Sequence, residues 1–176
     1  MLKKNIYFTA LLISFALISL QKKEEPSLSA ISNIISKSNS DVSGTVSFTE
    51  INGVVSMTAK LTGLTPGDHA IHIHAIGDCS AADGTSAGGH WNPTKVNHGV
   101  WGSPPFHIGD IGNIEVGVDG IGTITRETDL WCIDCSDSTK NIVGKAIIIH
   151  AGIDDFSSQP SGAAGPRIGC GEIELQ

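Results

Sequence analysis

Basic residues and helical patterns are scarce in this chain of 176 residues. Lysine and arginine together number 11 against 18 acidic residues, which gives a net charge of −7. Because nucleic acid is bound largely through Lys and Arg contacts to phosphates, this balance argues against nucleic acid as the main partner. No segment shows a convincing period of 3.6 residues, so the sequence does not predict amphipathic helices.

Long apolar runs are also few, and the mean hydropathy of +0.09 excludes a multi-span membrane protein. The longest apolar run, Ile6 to Leu20, follows Lys3 and Lys4. It matches the apolar core of a secretory signal and is shorter than the roughly 17–25 residues of a comfortable membrane span. We predict a signal peptide over residues 1–20, with an uncleaved N-terminal anchor as the alternative, and therefore an exported protein, periplasmic or extracellular, free or tethered to the membrane.

The rest of the chain is predicted to hold a polar tether over residues 21–29 and one domain over residues 30–176. Polar and apolar residues alternate over 42–48, 55–61 and 114–118, and the turn signal Asn52-Gly53 separates the first two of these segments. The apolar run Ile142 to Ile149 predicts a buried strand. Many short strands with close turn signals predict an all-β sandwich or barrel. The Gly- and Pro-rich stretch Gly77–Gly109 predicts a long functional loop.

The histidines indicate a metal site. His72 and His74 are two residues apart in a strand pattern, so their side chains share one face of the sheet. His69 lies on the opposite face, and we interpret it as a structural hydrogen-bonding residue. Further candidate ligands follow along the chain: His90, His98, His107, Asp110 and His150. Six histidines and one aspartate suffice for two ions that share a ligand, and imidazole suits copper and zinc.

Four cysteines allow three pairings, and export favours disulfides because they persist outside the reducing cytosol. Cys132 and Cys135 form a Cys-x-x-Cys motif in a segment without the βαβ pattern of a redox motif. A local disulfide is the favoured interpretation, while an extra metal site or a free thiol pair are the alternatives.

Together these motifs resemble the copper/zinc superoxide dismutases, and most closely their bacterial exported branch. The resemblance runs from about residue 30 to the C-terminus. It is carried by six segments: 69–78 (HAIHIHAIGD), 86–93 (SAGGHWNP), 98–99 (HG), 107–113 (HIGDIGN), 144–150 (GKAIIIH) and 165–171 (GPRIGCG).

The resemblance implies a ligand set for each ion. Copper would be held by His72, His74, His90 and His150, and zinc by His90, His98, His107 and Asp110. His90 would bridge the two ions and take up a proton during catalysis. Asp154 would join a copper ligand to a zinc ligand, although a solvated turn is its alternative interpretation.

The resemblance further implies a disulfide between Cys79 and Cys170 and a catalytic role for Arg167. Arg167 would attract the superoxide anion, whereas a surface ion pair is its alternative role. The implied fold is a flattened eight-stranded Greek-key β-barrel, an immunoglobulin-like sandwich with long metal-binding and active-site loops. The implied reaction converts two superoxide anions and two protons to oxygen and hydrogen peroxide, and a homodimer is a candidate assembly.

One departure from the family concerns the loop Phe156–Pro166, which is short and has no charged residue. Many relatives carry charges there that steer the substrate, so steering in this chain falls to Arg167 with lysines such as Lys95 or Lys140.

A copper carrier without turnover and a zinc hydrolase are the competing functions. The first would be expected to lack a ligand or the arginine. The second needs a general base, and the copper-side motifs contain no carboxylate.

Overall fold

The structure, a computed structural model, describes residues 27–176. The predicted signal peptide over residues 1–20 and the tether up to residue 26 lie outside the described residues. The first strand begins at Leu28, so the domain boundary predicted at residue 30 falls inside that strand. Within residues 27–176, no helix is both long enough and apolar enough to cross a membrane.

The described residues form a closed barrel of eight antiparallel strands, which confirms the predicted Greek-key β-barrel. The strands are β1 Leu28–Ser36, β2 Ser43–Ile51, β3 Val54–Thr62, β4 Gly67–His74, β5 Gly112–Val116, β6 Gly122–Thr128, β7 Ala146–His150 and β8 Arg167–Leu175, and a 3₁₀ turn spans Thr85–Ala87. Around the barrel the order is β1-β2-β3-β6-β5-β4-β7-β8, so β3 pairs with β6 and β4 with β7 across long connections. These crossovers leave the connections free to cover one side of the barrel.

The hairpin of β2 and β3 shows how the sequence pattern forms the barrel. In β3 the buried residues Val55, Met57, Ala59 and Leu61 alternate with polar ones, as a strand with one solvated face requires. Asn52 and Gly53 connect the two strands with φ angles of 54° and 78°, the left-handed values of a tight hairpin turn. The inward side chains meet those of the other strands in a single core.

Strands β4 and β7 differ because both of their faces are buried. Ile71, Ile73, Ile147 and Ile149 point into the barrel core. The opposite face, which carries Ala146, Ile148 and the histidines, is covered by the long connections rather than by water. Burial on two faces explains the nearly continuous apolar run in β7.

Two strand predictions extend further than the strands themselves. The run predicted from Ile142 begins as a strand only at Ala146, because Gly144 has a φ of +77° and the backbone N–H of Ile142 bonds to Cys132 instead of a barrel strand. The alternation predicted to include Val118 ends at Val116. Val118 lies in the Asp119-Gly120 turn and is 97% exposed.

Candidate metal centre

Two neighbouring strands supply three of the histidines. His72 and His74 point to the outer face of β4, and His150 ends the adjacent strand β7 on the same face. The ring centroids of His72 and His150 are 5.2 Å apart, and those of His74 and His150 are 5.8 Å apart. Strand alternation and strand pairing therefore bring the three imidazoles together.

His90 belongs to the long loop Gly77–Gly109, which pairs with the end of β4 that extends past the start of β5. The backbone N–H of Trp91 donates to the carbonyl of Ile73 at 2.8 Å, and the N–H of Ile73 donates to the carbonyl of Gly109 at 2.9 Å. This pairing sets His90 beside His74, with ring centroids 5.0 Å apart. It also fixes the backbone next to Asp110.

His72, His74, His90 and His150, here called the four-histidine cluster, offer nitrogens within 4.8 Å of one another. In each residue one buried ring nitrogen has no hydrogen-bond partner; these atoms are His72 Nδ1, His74 Nε2, His90 Nε2 and His150 Nε2. Buried polar atoms are almost always hydrogen-bonded, so four convergent unpartnered nitrogens need another partner. A metal ion that prefers imidazole satisfies all four.

The second group, His90, His98, His107 and Asp110, is called the zinc cluster below. Asp110 Oδ1 lies 2.8 Å from His90 Nδ1 and 3.1 Å from His107 Nδ1, and Asp110 Oδ2 lies 3.0 Å from His98 Nδ1. His107 Nδ1 and His90 Nδ1 are 3.5 Å apart. Tetrahedral zinc with bonds of about 2.0 Å separates its ligand atoms by about 3.3 Å, so these donors have the right kind and spacing for zinc.

Asp154 connects the two groups. Its Oδ2 accepts a hydrogen bond from His72 Nε2 at 2.9 Å, and its Oδ1 accepts one from His98 Nε2 at 2.8 Å. Its side chain is fully buried, so the solvated turn does not describe it. A carboxylate in this position orients both rings and directs their other nitrogens toward the metal sites.

In three other histidines of the two clusters, the outer ring nitrogen donates to a backbone carbonyl. His74 Nδ1 bonds to the carbonyl of Gly88 at 2.9 Å, His150 Nδ1 to that of Gly165 at 3.1 Å, and His107 Nε2 to that of Val96 at 3.1 Å. These bonds fix the tautomer, since the nitrogen that donates outward leaves the inner nitrogen as a lone pair.

Burial keeps three members of the four-histidine cluster neutral. It lowers the pKa of His90 from 6.5 to about 4 and that of His150 to about 3, and neighbouring imidazoles add to both shifts. The pKa of His74 is also lowered well below its ordinary value, mainly by burial. Since a metal binds only the deprotonated imidazole, these residues are ready to ligate near neutral pH.

His98 differs because it lies between two carboxylates. Burial alone would lower its pKa, but the hydrogen bonds to Asp110 and Asp154 outweigh burial and raise the pKa to about 9. Burial alone would raise the pKa of Asp110, but the neighbouring imidazoles of His107, His90 and His98 hold it far below the usual range. The two carboxylates therefore favour positive charge at this end of the site, and a zinc ion that binds His98 would displace its proton.

The four-histidine cluster opens to solvent through a pocket lined in part by His74, His90, His150 and Arg167. The Arg167 guanidinium donates from Nη1 to the carbonyl of Gly84 and from Nη2 to that of Gly88, both at 2.7 Å. Two fixed carbonyls hold the cation, and no ion pair with a surface carboxylate is present among the described residues. A disulfide joins Cys79, in the same loop as Gly84, to Cys170 on β8 near Arg167.

Comparison with known proteins identifies the family. Residues 42–173 match the family model described as copper/zinc superoxide dismutase. The chain belongs to the copper/zinc superoxide dismutase family. Superoxide dismutase [Cu-Zn] 2 of Mesembryanthemum crystallinum is 37% identical to it over 146 residues, which covers 78% of this chain and 90% of that protein. The predicted dismutase activity and the predicted cofactors, copper and zinc, are confirmed by these relationships.

A solved structure, the crystal structure of the clock protein EA4, shows the same fold. It superposes on the dismutase with a TM-score of 0.74 at 30% identity, and the match covers 84% of this chain and 94% of that chain. The likeness extends over nearly the whole barrel that positions the histidines.

Two positioning residues of the dismutase escaped the sequence analysis. Gln159, in the short uncharged loop, accepts a hydrogen bond from the N–H of His98 at 2.9 Å and donates to the His98 carbonyl at 3.0 Å. Asn113 makes the same two-way contact with the backbone of Asp154, at 2.8 and 3.0 Å. The Gly-Asn pair at 112–113, inside a segment that carries the family resemblance, could have signalled Asn113. The contact of Gln159 could not be predicted, because it depends on how the loop folds.

The remaining predictions for single residues concern His69, the cysteine pair and the lysines. His69 makes the structural contacts expected of it: Nδ1 lies 2.9 Å from the carbonyl oxygen of His150, and Nε2 lies 3.1 Å from the hydroxyl of Thr65. Cys132 and Cys135 form a local disulfide, as favoured above. Lys95 and Lys140 do not line the pocket. Among the described residues that line it, Arg167 is the one with a cationic Lys or Arg side chain.

Proposed function

We propose that this dismutase binds copper in the four-histidine cluster and zinc in the zinc cluster, and that superoxide reacts at the pocket floor. The observation that carries this assignment is the set of four buried, unpartnered ring nitrogens that converge beside the pocket. The all-imidazole cluster, three of whose members line the pocket, suits a redox copper. The cluster that contains the Asp110 carboxylate suits zinc.

When bound, copper supplies the one-electron couple that dismutation needs, whereas zinc has no redox chemistry and keeps its ligands in place. The reaction takes up two protons with two superoxide anions and releases one oxygen and one hydrogen peroxide. His90 is the residue placed to carry a proton, because its Nδ1 faces Asp110 and its unpartnered Nε2 faces the other histidines of the four-histidine cluster. We assign proton transfer to His90 Nε2.

Arg167 is assigned to substrate attraction. The chain carries a net charge of −7, which opposes the approach of an anion. A cation held at the pocket wall by two carbonyls offsets this field locally, and electrostatic focusing raises association rates by about 10–10³-fold in enzymes that include superoxide dismutases.

Superoxide decay measured by pulse radiolysis tests both assignments. The full chain loaded with one copper and one zinc should react with a second-order rate constant near the diffusional ceiling of about 10⁸–10⁹ M⁻¹s⁻¹ known for this enzyme class. Arg167→Gln should lower that constant about tenfold and flatten its dependence on ionic strength, because the attraction of the anion is electrostatic and screened by salt.

The matched control is Lys140→Gln, which removes the same charge outside the pocket and should leave the rate constant nearly unchanged. Copper content must be equal in all three proteins. Full copper occupancy without acceleration would indicate a carrier, and an Arg167→Gln rate equal to wild type at every salt concentration would refute steering.

We further propose that the protein belongs to the bacterial exported branch and is exported through residues 1–20. Three sequence features support this branch: Cys79 directly after Asp78, the Ser158-Gln159-Pro160 stretch and the uncharged loop Phe156–Pro166. Two disulfides also suit an oxidising compartment. The homodimer stays a prediction.

Fractionation of a Gram-negative host that expresses the full gene tests export. We expect dismutase in the periplasm with a mass that lacks the signal peptide, because the apolar core of the signal directs translocation. Leu12→Arg, which interrupts that core, should retain the uncleaved protein in the cytoplasm. Wild-type protein found uncleaved in the membrane would indicate the anchor, and uncleaved protein in the cytoplasm would contradict export.

A further inference from the structure

The Cys132–Cys135 disulfide lies in the connection between β6 and β7, and the metal chemistry above does not use it. The connection folds back on itself, because the N–H of Cys132 donates to the carbonyl of Lys140 at 2.9 Å and the N–H of Ile142 donates to the carbonyl of Cys132 at 3.1 Å. The disulfide closes the tip of this fold. Residues 132–141 are called the disulfide loop below.

Trp131, directly before the disulfide loop, touches the zinc loop. Its indole is 1% exposed, and Nε1 donates to the carbonyl of Ile108 at 2.8 Å. Ile108 follows His107 and precedes Asp110 by two residues, so the indole N–H holds the backbone between two zinc-cluster residues. Losing the donor would leave the buried carbonyl of Ile108 unpaired, which is unfavourable away from water.

Aromatic packing strengthens the same contact. The ring of Trp131 lies 5.0 Å from that of Trp101, which lies 5.6 Å from that of Phe106. Trp101 and Phe106 both belong to the segment between His98 and Asp110. On its other side Trp131 packs against Phe48 of the barrel core, with ring centroids 6.3 Å apart. Trp131 therefore connects the rigid core to the segment that carries the zinc ligands.

The disulfide loop itself is fixed to the barrel. Glu50 of β2 accepts a hydrogen bond from the N–H of Ile133 at 2.6 Å. Asn141 accepts from the N–H of Asp134 at 3.2 Å and donates to the carbonyl of Cys135 at 3.1 Å. These contacts hold the loop in one conformation, and the covalent bond between residues 132 and 135 limits how far Trp131 can move.

We propose that the disulfide loop is a positioning element for zinc: it holds the Trp131 indole against the Ile108 carbonyl and so keeps His107 and Asp110 aligned. This inference rests on the zinc assignment proposed above. It implies that the disulfide acts on zinc through Trp131. Loss of the disulfide or of the Trp131 hydrogen bond should speed zinc release. Loss of the two together should have no greater effect than loss of the hydrogen bond alone.

Zinc release from the full chain loaded with copper and zinc tests the proposal. Release is followed with a chromogenic zinc chelator, well below the unfolding temperature of every variant. Trp131→Phe keeps an aromatic ring but removes the N–H, and should release zinc about threefold to tenfold faster, the range expected for one buried hydrogen bond. The Cys132→Ser/Cys135→Ser double variant should release zinc faster than wild type, by a factor no larger than that of Trp131→Phe. The triple variant should match Trp131→Phe, since effects transmitted through one contact are not additive.

Two controls separate positioning from general loss of stability. Ser136→Ala, an exposed change inside the disulfide loop, should release zinc at the wild-type rate. The copper(II) electron paramagnetic resonance spectrum of the fully loaded variants should keep its wild-type form, since the hydrogen bond and ring contacts of Trp131 in residues 27–176 go to Ile108, Phe48 and Trp101 and not to the four-histidine cluster. Wild-type release rates in the cysteine variant, multiplicative effects in the triple variant, or equal loss of copper and zinc would each overturn the proposal. A wild-type protein that binds no zinc would instead overturn the zinc assignment.

Discussion

Replacing His150 with alanine is expected to lower dismutase activity at least about a hundredfold while zinc stays bound. His150 supplies one of the four unpartnered nitrogens, and its place at the end of β7 leaves no neighbouring side chain in the cluster to replace it. Changes in the residues that merely orient metal ligands already cost about 10–100-fold in metal affinity or activity, so the loss of a ligand should cost more. The zinc cluster shares only His90 with this group.

Metal analysis of purified His150→Ala, paired with activity, checks the prediction. His107→Ala is the matched comparison, because it removes one nitrogen from the zinc cluster and leaves all four histidines of the other cluster in place. The first variant should lose copper and retain zinc, and the second should lose zinc first. Copper at full stoichiometry with near-normal activity in His150→Ala would contradict the ligand assignment.

The pairing of two of the histidines could be predicted from the sequence because strand geometry is local, whereas the full ligand sets came from the family resemblance. His72 and His74 share a face by the two-residue period of a strand, and both belong to the four-histidine cluster as that expectation requires. Loop residues such as His90 and Asp110 have no such rule. Their placement depends on the loop pairing with the edge of β4 at Ile73, a contact between residues distant in sequence.

Residues that hold the ligands were harder to predict for the same reason. Gln159 and Trp131 act through contacts with the backbone of His98 and Ile108, which lie 61 and 23 residues away. A glutamine or tryptophan in isolation indicates neither contact. The cysteine spacing pointed to a local disulfide, but its link to the zinc loop follows only from the crossover between β6 and β7.

Gly162→Ala is expected to disturb both metal sites at once, although Gly162 is not a ligand. A Cβ atom at Gly162 would lie 1.8 Å from Asp154 Oδ1 and 2.8 Å from His98 Nε2, so the Asp154 carboxylate would have to move. Its movement would break the hydrogen bonds to His72 and His98, which orient one ring in each cluster. We expect activity and zinc affinity to fall about 10–100-fold, the usual effect of losing such an orienting contact.

Gly165→Ala in the same loop separates this clash from backbone strain. Gly162 and Gly165 have φ angles of +71° and +77°, so alanine at either costs about 1–2 kcal/mol in the left-handed region. At Gly165, however, the nearest atom to an added Cβ is the Gly152 nitrogen at 4.0 Å, which leaves room for a methyl group. Both variants should therefore lose the stability that left-handed strain costs, Gly162→Ala more because of the added clash, while only Gly162→Ala should lose zinc affinity. Equal zinc affinity in the two variants would mean that Asp154 does not need the space beside Gly162.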